Sequence, residues 1–131
     1  MTSQGLEELD EAECYRLLLS RTLGRVGVHI ASDLAIFPVY YAVMGRDIVL
    51  RTSPGTKLNA ALLGTRVVFE IDDAADGWSV LVRGHAHEVL SHDEQTRAAQ
   101  LLGGDWAPEP RKYYVTISAE QVTGRRVLAQ R

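Results

Sequence analysis

The stretch Ile48-Val49-Leu50-Arg51-Thr52-Ser53-Pro54-Gly55-Thr56-Lys57 changes texture halfway through. Ile48 to Thr52 is rich in apolar and β-branched residues and reads as a strand. Ser53-Pro54 then reads as a helix start, with serine as the cap and proline at the first helical position. The spacing predicts a helix from Pro54 to Leu63, stopped by Gly64. At a strand-to-helix junction of this kind, backbone N–H groups lack intrahelical partners and the helix dipole is positive. Gly55 lets a ligand approach the backbone closely. Arg51 and Lys57 add two cations, while Thr52, Ser53 and Thr56 add hydroxyls. That chemistry suits an anion, phosphate best of all. The same residues equally describe a well-capped surface helix with solvated cations. A Walker loop is excluded, because no glycine stands at the required distance before Gly55. No GxGxxG occurs either, so a Rossmann nucleotide site has no support.

Upstream of this junction, Gly45-Arg46-Asp47 is a hairpin turn, preceded by a strand over Leu34–Val43 with its own turn at Ser32-Asp33. Pro38 inside that strand implies an edge position or a bulge. Val26, Val28 and Ile30 alternate with Arg25, Gly27 and His29 in a still earlier strand. Asp10 and Glu13 have capping-box spacing, which places a helix over about Glu11–Ser20. Its apolar stripe is Cys14, Leu17 and Leu18.

Downstream lie a strand over Arg66–Asp72, an acidic loop to Gly77, and a long strand over Trp78–Leu90, broken near Gly84. Ser91 and Glu94 form a second capping box, opening a helix that ends at Gly103-Gly104. After a loop over Asp105–Pro110, Tyr113–Ile117 and Val122–Leu128 read as two closing strands. The chain is therefore expected to be α+β, mainly β. Its architecture is a six- to seven-stranded antiparallel barrel with short peripheral helices.

A length of 131 residues makes one domain, spanning 1–131. Fourteen basic residues against seventeen acidic give a net charge of −3, which argues against nucleic-acid binding. The longest apolar run, Leu34 to Met44, is interrupted by Pro38 and falls well short of the ~20 residues of a membrane span. Five acidic residues precede the first basic one, Arg16, the reverse of a signal peptide, so the expected location is the cytoplasm. A lone cysteine, Cys14, leaves no intramolecular disulfide and no multi-cysteine zinc site. His85 and His87 share one strand face, but no third ligand stands at metal spacing, which makes them surface or interface residues. Ser53 and Ser79 lack the GxSxG turn of a nucleophile. Tyr40, Tyr41, Trp78 and Trp106 either fill the barrel or a dimer interface, or wall a planar ring.

Leu23-Gly24-Arg25-Val26-Gly27-Val28, Phe37-Pro38-Val39-Tyr40-Tyr41, Ile48–Thr52 with Gly55-Thr56-Lys57, Val67–Asp72 and Gly77–Gly84 together carry a resemblance. The order resembles the pyridoxamine 5′-phosphate oxidase-like, FMN-binding split β-barrel proteins. The short actinobacterial members and the nitroimidazole-resistance relatives are the most similar. The resemblance implies a homodimer with FMN at the subunit interface and a flavin-dependent oxidoreductase acting on a small molecule. Carried over by position, Arg51, Thr52 and Lys57 hold the FMN phosphate, with Ser53 in support. Pro38, Val39, Tyr40 and Tyr41 run along the ring and ribityl chain, largely through backbone groups. Trp78 and Ser79 reach the flavin from the partner subunit, and Trp106 covers the ring. Tyr40 and Tyr41 are the candidate proton donors. Related proteins carry the deazaflavin F420 or haem in the same barrel, and a non-enzymatic flavin or haem carrier is the alternative to an enzyme. True pyridoxamine phosphate oxidases end in a segment with arginine and histidine. Here Val122–Leu128 has no histidine, so the expectation is flavin without a vitamin B6 substrate.

Overall fold

The computed structural model describes residues 5–53, 55–103 and 113–128. In chain order the elements are β1 (Leu6–Leu9), α1 (Glu11–Leu19), β2 (Leu23–Ile30), β3 (Asp33–Met44) and β4 (Asp47–Thr52). There follow α2 (Lys57–Leu62), β5 (Arg66–Asp73), β6 (Trp78–Glu88), α3 (His92–Leu102) and β7 (Tyr113–Val127). The strands run antiparallel in the order β1-β7-β4-β3-β2-β5-β6, and β6 pairs back onto β7. Six strands thus close a barrel, with β1 as an extra strand along β7. Closure removes the sheet edges that would otherwise invite aggregation.

Inward-facing residues alternate along β2, β5 and most of β6, as a two-sided sheet requires. Val26 and Val28 of β2, Phe69 and Ile71 of β5, and Val80 and Val82 of β6 are fully or almost fully buried. Cys14, Leu17 and Leu18 of α1 join this core, as the apolar stripe predicts. A second, smaller core lies outside the barrel, where Ala98 of α3 covers Val49, Val89 and Tyr114. Pro38 sits where edge chemistry allows it. Asp33 to Tyr40 of β3 pairs with β2, while pairing with β4 begins only at Tyr41. A missing N–H therefore costs no ladder bond on that open side.

Three expectations need correction. First, the two closing strands are one. β7 runs unbroken from Tyr113 to Val127 because β6 pairs with it along nearly its whole length, absorbing the irregular Ser118–Gln121 stretch in a bulge opposite Arg83 and Gly84. Second, β1 was not expected: Leu6–Leu9 has only two half-buried residues, and pairing with Gly124–Val127 makes it a strand. Third, the helix after β4 begins at Lys57 and not at Pro54. Gly55 adopts φ +82°, a left-handed conformation that interrupts right-handed helical backbone. The cap is Thr56, whose hydroxyl accepts from Asn59 N–H at 3.1 Å. Ser53 contributes only its carbonyl, which accepts from the Thr56 hydroxyl at 2.9 Å.

This reassignment has a measurable consequence. Thr56→Ala should cost about 1 kcal/mol, the usual value of a lost N-cap. Ser53→Ala should stay within about 0.5 kcal/mol, as surface changes do. Urea denaturation of both variants checks this, and a larger loss for Ser53→Ala would restore the earlier helix start.

Candidate functional site

β4 delivers successive side chains to opposite faces. Leu50 is in the core, Arg51 points outward, and Thr52 turns in again at the barrel end, where it is 9% exposed. The Thr52 hydroxyl donates to Asn59 Oδ1 at 2.9 Å, tying the end of β4 to α2. Asn59 therefore closes a compact junction with Thr56, a role hinted at in the sequence only by its three-residue spacing. Ser53, Gly55 and Lys57 are exposed there. Arg51 stands opposite Tyr114 on β7, and its Nη1 is screened from solvent. Burial pushes the Tyr114 phenol up, and the Arg51 charge pulls the other way.

The junction fits a phosphate by the chemistry of its donors: a guanidinium, an ammonium and hydroxyls, with no acidic residue between Asp47 and Glu70. Positive charge without a competing carboxylate is what a dianion requires. The Thr52 proton is already engaged by Asn59, and the exposed Ser53 and Lys57 add a hydroxyl and an ammonium beyond it.

An apolar cavity of about 370 Å³ opens at the same level of the sheet, lined by Thr22, Tyr40, Tyr41, Leu101 and Leu102. Leu50, which precedes Arg51, is the register partner of Tyr41. β3 turns Pro38 and Tyr40 outward and Val39 and Tyr41 inward, and Tyr40 is 62% exposed. The last turn of α3 supplies the two leucines. Nothing in the periodicity of α3 marked them, because the β3 surface they face lies far away in sequence.

Tyr41 belongs to the core. Its hydroxyl donates to the Leu18 carbonyl at 2.6 Å, and its ring meets Phe69 edge-on at 4.7 Å. Burial raises its phenol well above the usual tyrosine range. It serves as a cap for the C-terminal end of α1, whose last carbonyls lack helical partners. Tyr41→Phe should therefore lower stability by about 1–3 kcal/mol, since it strands a buried carbonyl. Ligand affinity, measured on the folded variant, should be unchanged. A loss of affinity at unchanged stability would give the hydroxyl a place in the site.

Trp78 is likewise inside, 4% exposed, with the Arg21 guanidinium 5.1 Å above its ring centroid. Arg21 also binds Asp73 at 2.7 Å and is the charge that acts on Tyr41. The fold thus gathers Tyr41 and Trp78 around Arg21, which the sequence did not single out. Ser79 is half-buried on the opposite face of β6, between Asp72 and Arg125. Trp106 lies outside the described residues.

His85 and His87 both point outward from β6, and His85 Nδ1 meets Glu120 Oε2 at 2.6 Å. That hydrogen bond holds the Glu120 carboxyl below its ordinary range. Among the described residues no group of three or more histidine, cysteine or acidic side chains could hold a metal ion. No helix among them is long and apolar enough to cross a membrane.

A closed antiparallel barrel of six strands, with short helices at its connections and a cationic junction after β4, is a split β-barrel. The chain belongs to the pyridoxamine 5′-phosphate oxidase family, whose sequence model it matches over residues 10–126. It is 37% identical to the uncharacterized protein Rv0080 of Mycobacterium tuberculosis, over 93% of this chain and 86% of that one. Among solved structures it is similar to a FAD-binding protein from Mycobacterium smegmatis. Identity there is 32%, with 94% of this chain and 100% of that chain covered, at a TM-score of 0.84. A FAD-binding protein from Mesorhizobium loti shares the fold at 24% identity and a TM-score of 0.78, covering 93% of this chain and 98% of that one.

Proposed function

We propose that this protein binds a flavin nucleotide, with the phosphate at Arg51, Ser53 and Lys57 and the ring in the neighbouring cavity. The observation that carries the reading is an apolar cavity of about 370 Å³ lined by Tyr40 and Tyr41 of β3, the strand paired with β4, whose end carries Arg51, Ser53 and Lys57 without a neighbouring acidic residue in the sequence. Small-molecule sites are typically apolar clefts of this size with a few placed polar groups. Tyr40 offers a flat face, and Leu101 and Leu102 line the same cavity.

FMN is the first choice. Its terminal phosphate carries close to two negative charges at neutral pH, matching two cations. FAD is the second reading, favoured by the M. smegmatis relative. A bound flavin supplies hydride transfer, and the chain's own residues bind it, orient it and keep solvent away. The reaction proposed is oxidation or reduction of a small molecule.

The active form proposed is a homodimer. The outer face of β3 exposes Leu34 (70%), Ile36 (72%), Pro38 and Tyr40 in one stripe, with Leu23 beside Tyr40 on β2. A continuous apolar stripe of this kind suits a self-complementary two-fold contact.

Titration of purified protein with FMN, FAD, F420 and haem, followed by absorbance and flavin fluorescence, tests the cofactor. Saturable quenching by a flavin at micromolar concentration is expected. Failure of both flavins to bind, or a Soret band in their place, removes the proposal. A reduced nicotinamide consumption assay then separates an enzyme from a carrier, and light scattering showing a stable monomer removes the dimer.

A further inference from the structure

We propose that Thr22 orients the ring held between β3 and α3, and that this cavity selects an uncharged planar ring with a carbonyl-bearing edge. The inference rests on the flavin reading above and adds to it a residue and a direction of selection.

The cavity offers few polar groups. Thr22, Tyr40, Tyr41, Leu101 and Leu102 line it, and no acidic or basic residue is among them. Arg21, the neighbour of Thr22, is committed elsewhere: its guanidinium binds Asp73 at 2.7 Å and lies over the Trp78 ring. The Tyr41 hydroxyl is spent on the Leu18 carbonyl at 2.6 Å. Thr22 is exposed, and its hydroxyl has no hydrogen-bond partner among the described residues.

Backbone bonds fix the place of that hydroxyl. The Thr22 carbonyl accepts from Tyr41 N–H at 2.9 Å, and Leu23, the next residue, is the register partner of Tyr40. Two residues earlier Ser20 closes α1, where its N–H and its hydroxyl both donate to the Leu17 carbonyl. The branched Cβ of threonine further restricts the side chain. A polar group held this way in an apolar cleft sets which ligand fits and how it lies.

Selection follows from desolvation. Water satisfies the Thr22 hydroxyl while the cavity is open to solvent. A ring that enters displaces that water, and the hydroxyl must then find its partner on the ring or be left unpaired in apolar surroundings. A hydrocarbon edge supplies no partner, whereas a carbonyl accepts the proton. A charged group would lie among leucines and tyrosines with no counter-charge, which disfavours it. Phosphate and ring are thus recognised by different chemistries, cations at the end of β4 and a neutral hydroxyl in the cavity.

Two planar tricycles provide the test. Lumiflavin has the carbonyl edge without ribityl chain or phosphate, and phenazine has no carbonyl. Both are titrated, by absorbance and fluorescence, against the parent, Thr22→Val and Thr22→Ser. The parent should prefer lumiflavin. Thr22→Val keeps the side-chain shape and removes the hydroxyl, so it should weaken lumiflavin about 2- to 12-fold, the equivalent of one neutral hydrogen bond. Phenazine should bind Thr22→Val as well as the parent or better, and Thr22→Ser should regain most of the lumiflavin affinity. FMN and riboflavin should lose the same factor in Thr22→Val, unlike a change at the phosphate end, which spares riboflavin. Thermal midpoints should match the parent, because the hydroxyl holds no part of the fold. Parent-like lumiflavin affinity in Thr22→Val, or equal losses for lumiflavin and phenazine, would overturn the role of Thr22 and leave the flavin reading standing. Failure of the parent to bind any flavin would remove both.

Discussion

Replacing Gly84 by alanine should lower the stability of the protein by about 3 kcal/mol or more, the upper end of what overpacking usually costs. Gly84 sits in β6 where the register against β7 shifts, so the backbones of the two strands approach closely. A Cβ built there overlaps the Ser118 carbonyl oxygen and lies 2.9 Å from its carbonyl carbon. Both are backbone atoms, so no rotamer change relieves the contact. The strain falls on the pairing that closes the barrel. A loss of this size is a large share of the ~5–15 kcal/mol that holds a typical domain together. The thermal midpoint should fall by roughly 10 °C. Gly27 supplies the control, because a Cβ there meets only the Val68 carbonyl oxygen at 3.8 Å, an ordinary contact. Gly27→Ala should be neutral or slightly stabilising, through the lower entropy of its unfolded chain. Scanning calorimetry of the two variants decides the matter, and a parent-like midpoint for Gly84→Ala would show that the strands can part without cost.

Lys57→Ala is expected to weaken FMN binding about 10- to 150-fold, the equivalent of one charge-assisted hydrogen bond of about 1.5–3 kcal/mol. Lys57 is exposed and touches no part of the core, so its removal leaves the fold alone. Riboflavin has the ring and ribityl chain without the phosphate, and it should bind variant and parent almost equally. Added salt should weaken FMN more than riboflavin, since only the phosphate has charges to screen. Arg51→Ala should act in the same direction. Because Arg51 lies opposite Tyr114 on β7, its thermal midpoint must be measured alongside. Unchanged FMN affinity in both variants removes the phosphate assignment. Equal losses for FMN and riboflavin would indicate a damaged fold.

Much of the barrel was legible from local pattern. The alternation in Val26–Ile30, the turn at Gly45-Arg46 and the capping boxes at Asp10 and Ser91 each act within a few residues. The corresponding elements appear within a residue or two of their expected bounds. The cap after β4 misled because Ser53-Pro54 satisfies every local preference for a helix start. The left-handed backbone at Gly55 then moves the start to Lys57, where Thr56 and Asn59 complete the cap. Sequence periodicity likewise split β7 at Ser118–Gln121. Those residues lack strand character of their own and are held in line by β6.

By itself the sequence determined the class of fold, the capped helices on either side of the barrel, and one cluster of cations and hydroxyls free of acidic residues. Those properties depend on neighbours a few positions away. Tertiary structure alone decided which faces those residues serve. It sent Tyr41 into the core to cap α1, set Trp78 beneath Arg21, and brought Leu101 and Leu102 of α3 together with Tyr40 to line one cavity. Each of these outcomes rests on contacts between residues more than twenty positions apart. Burial is a property of such partners, and no local pattern carries it.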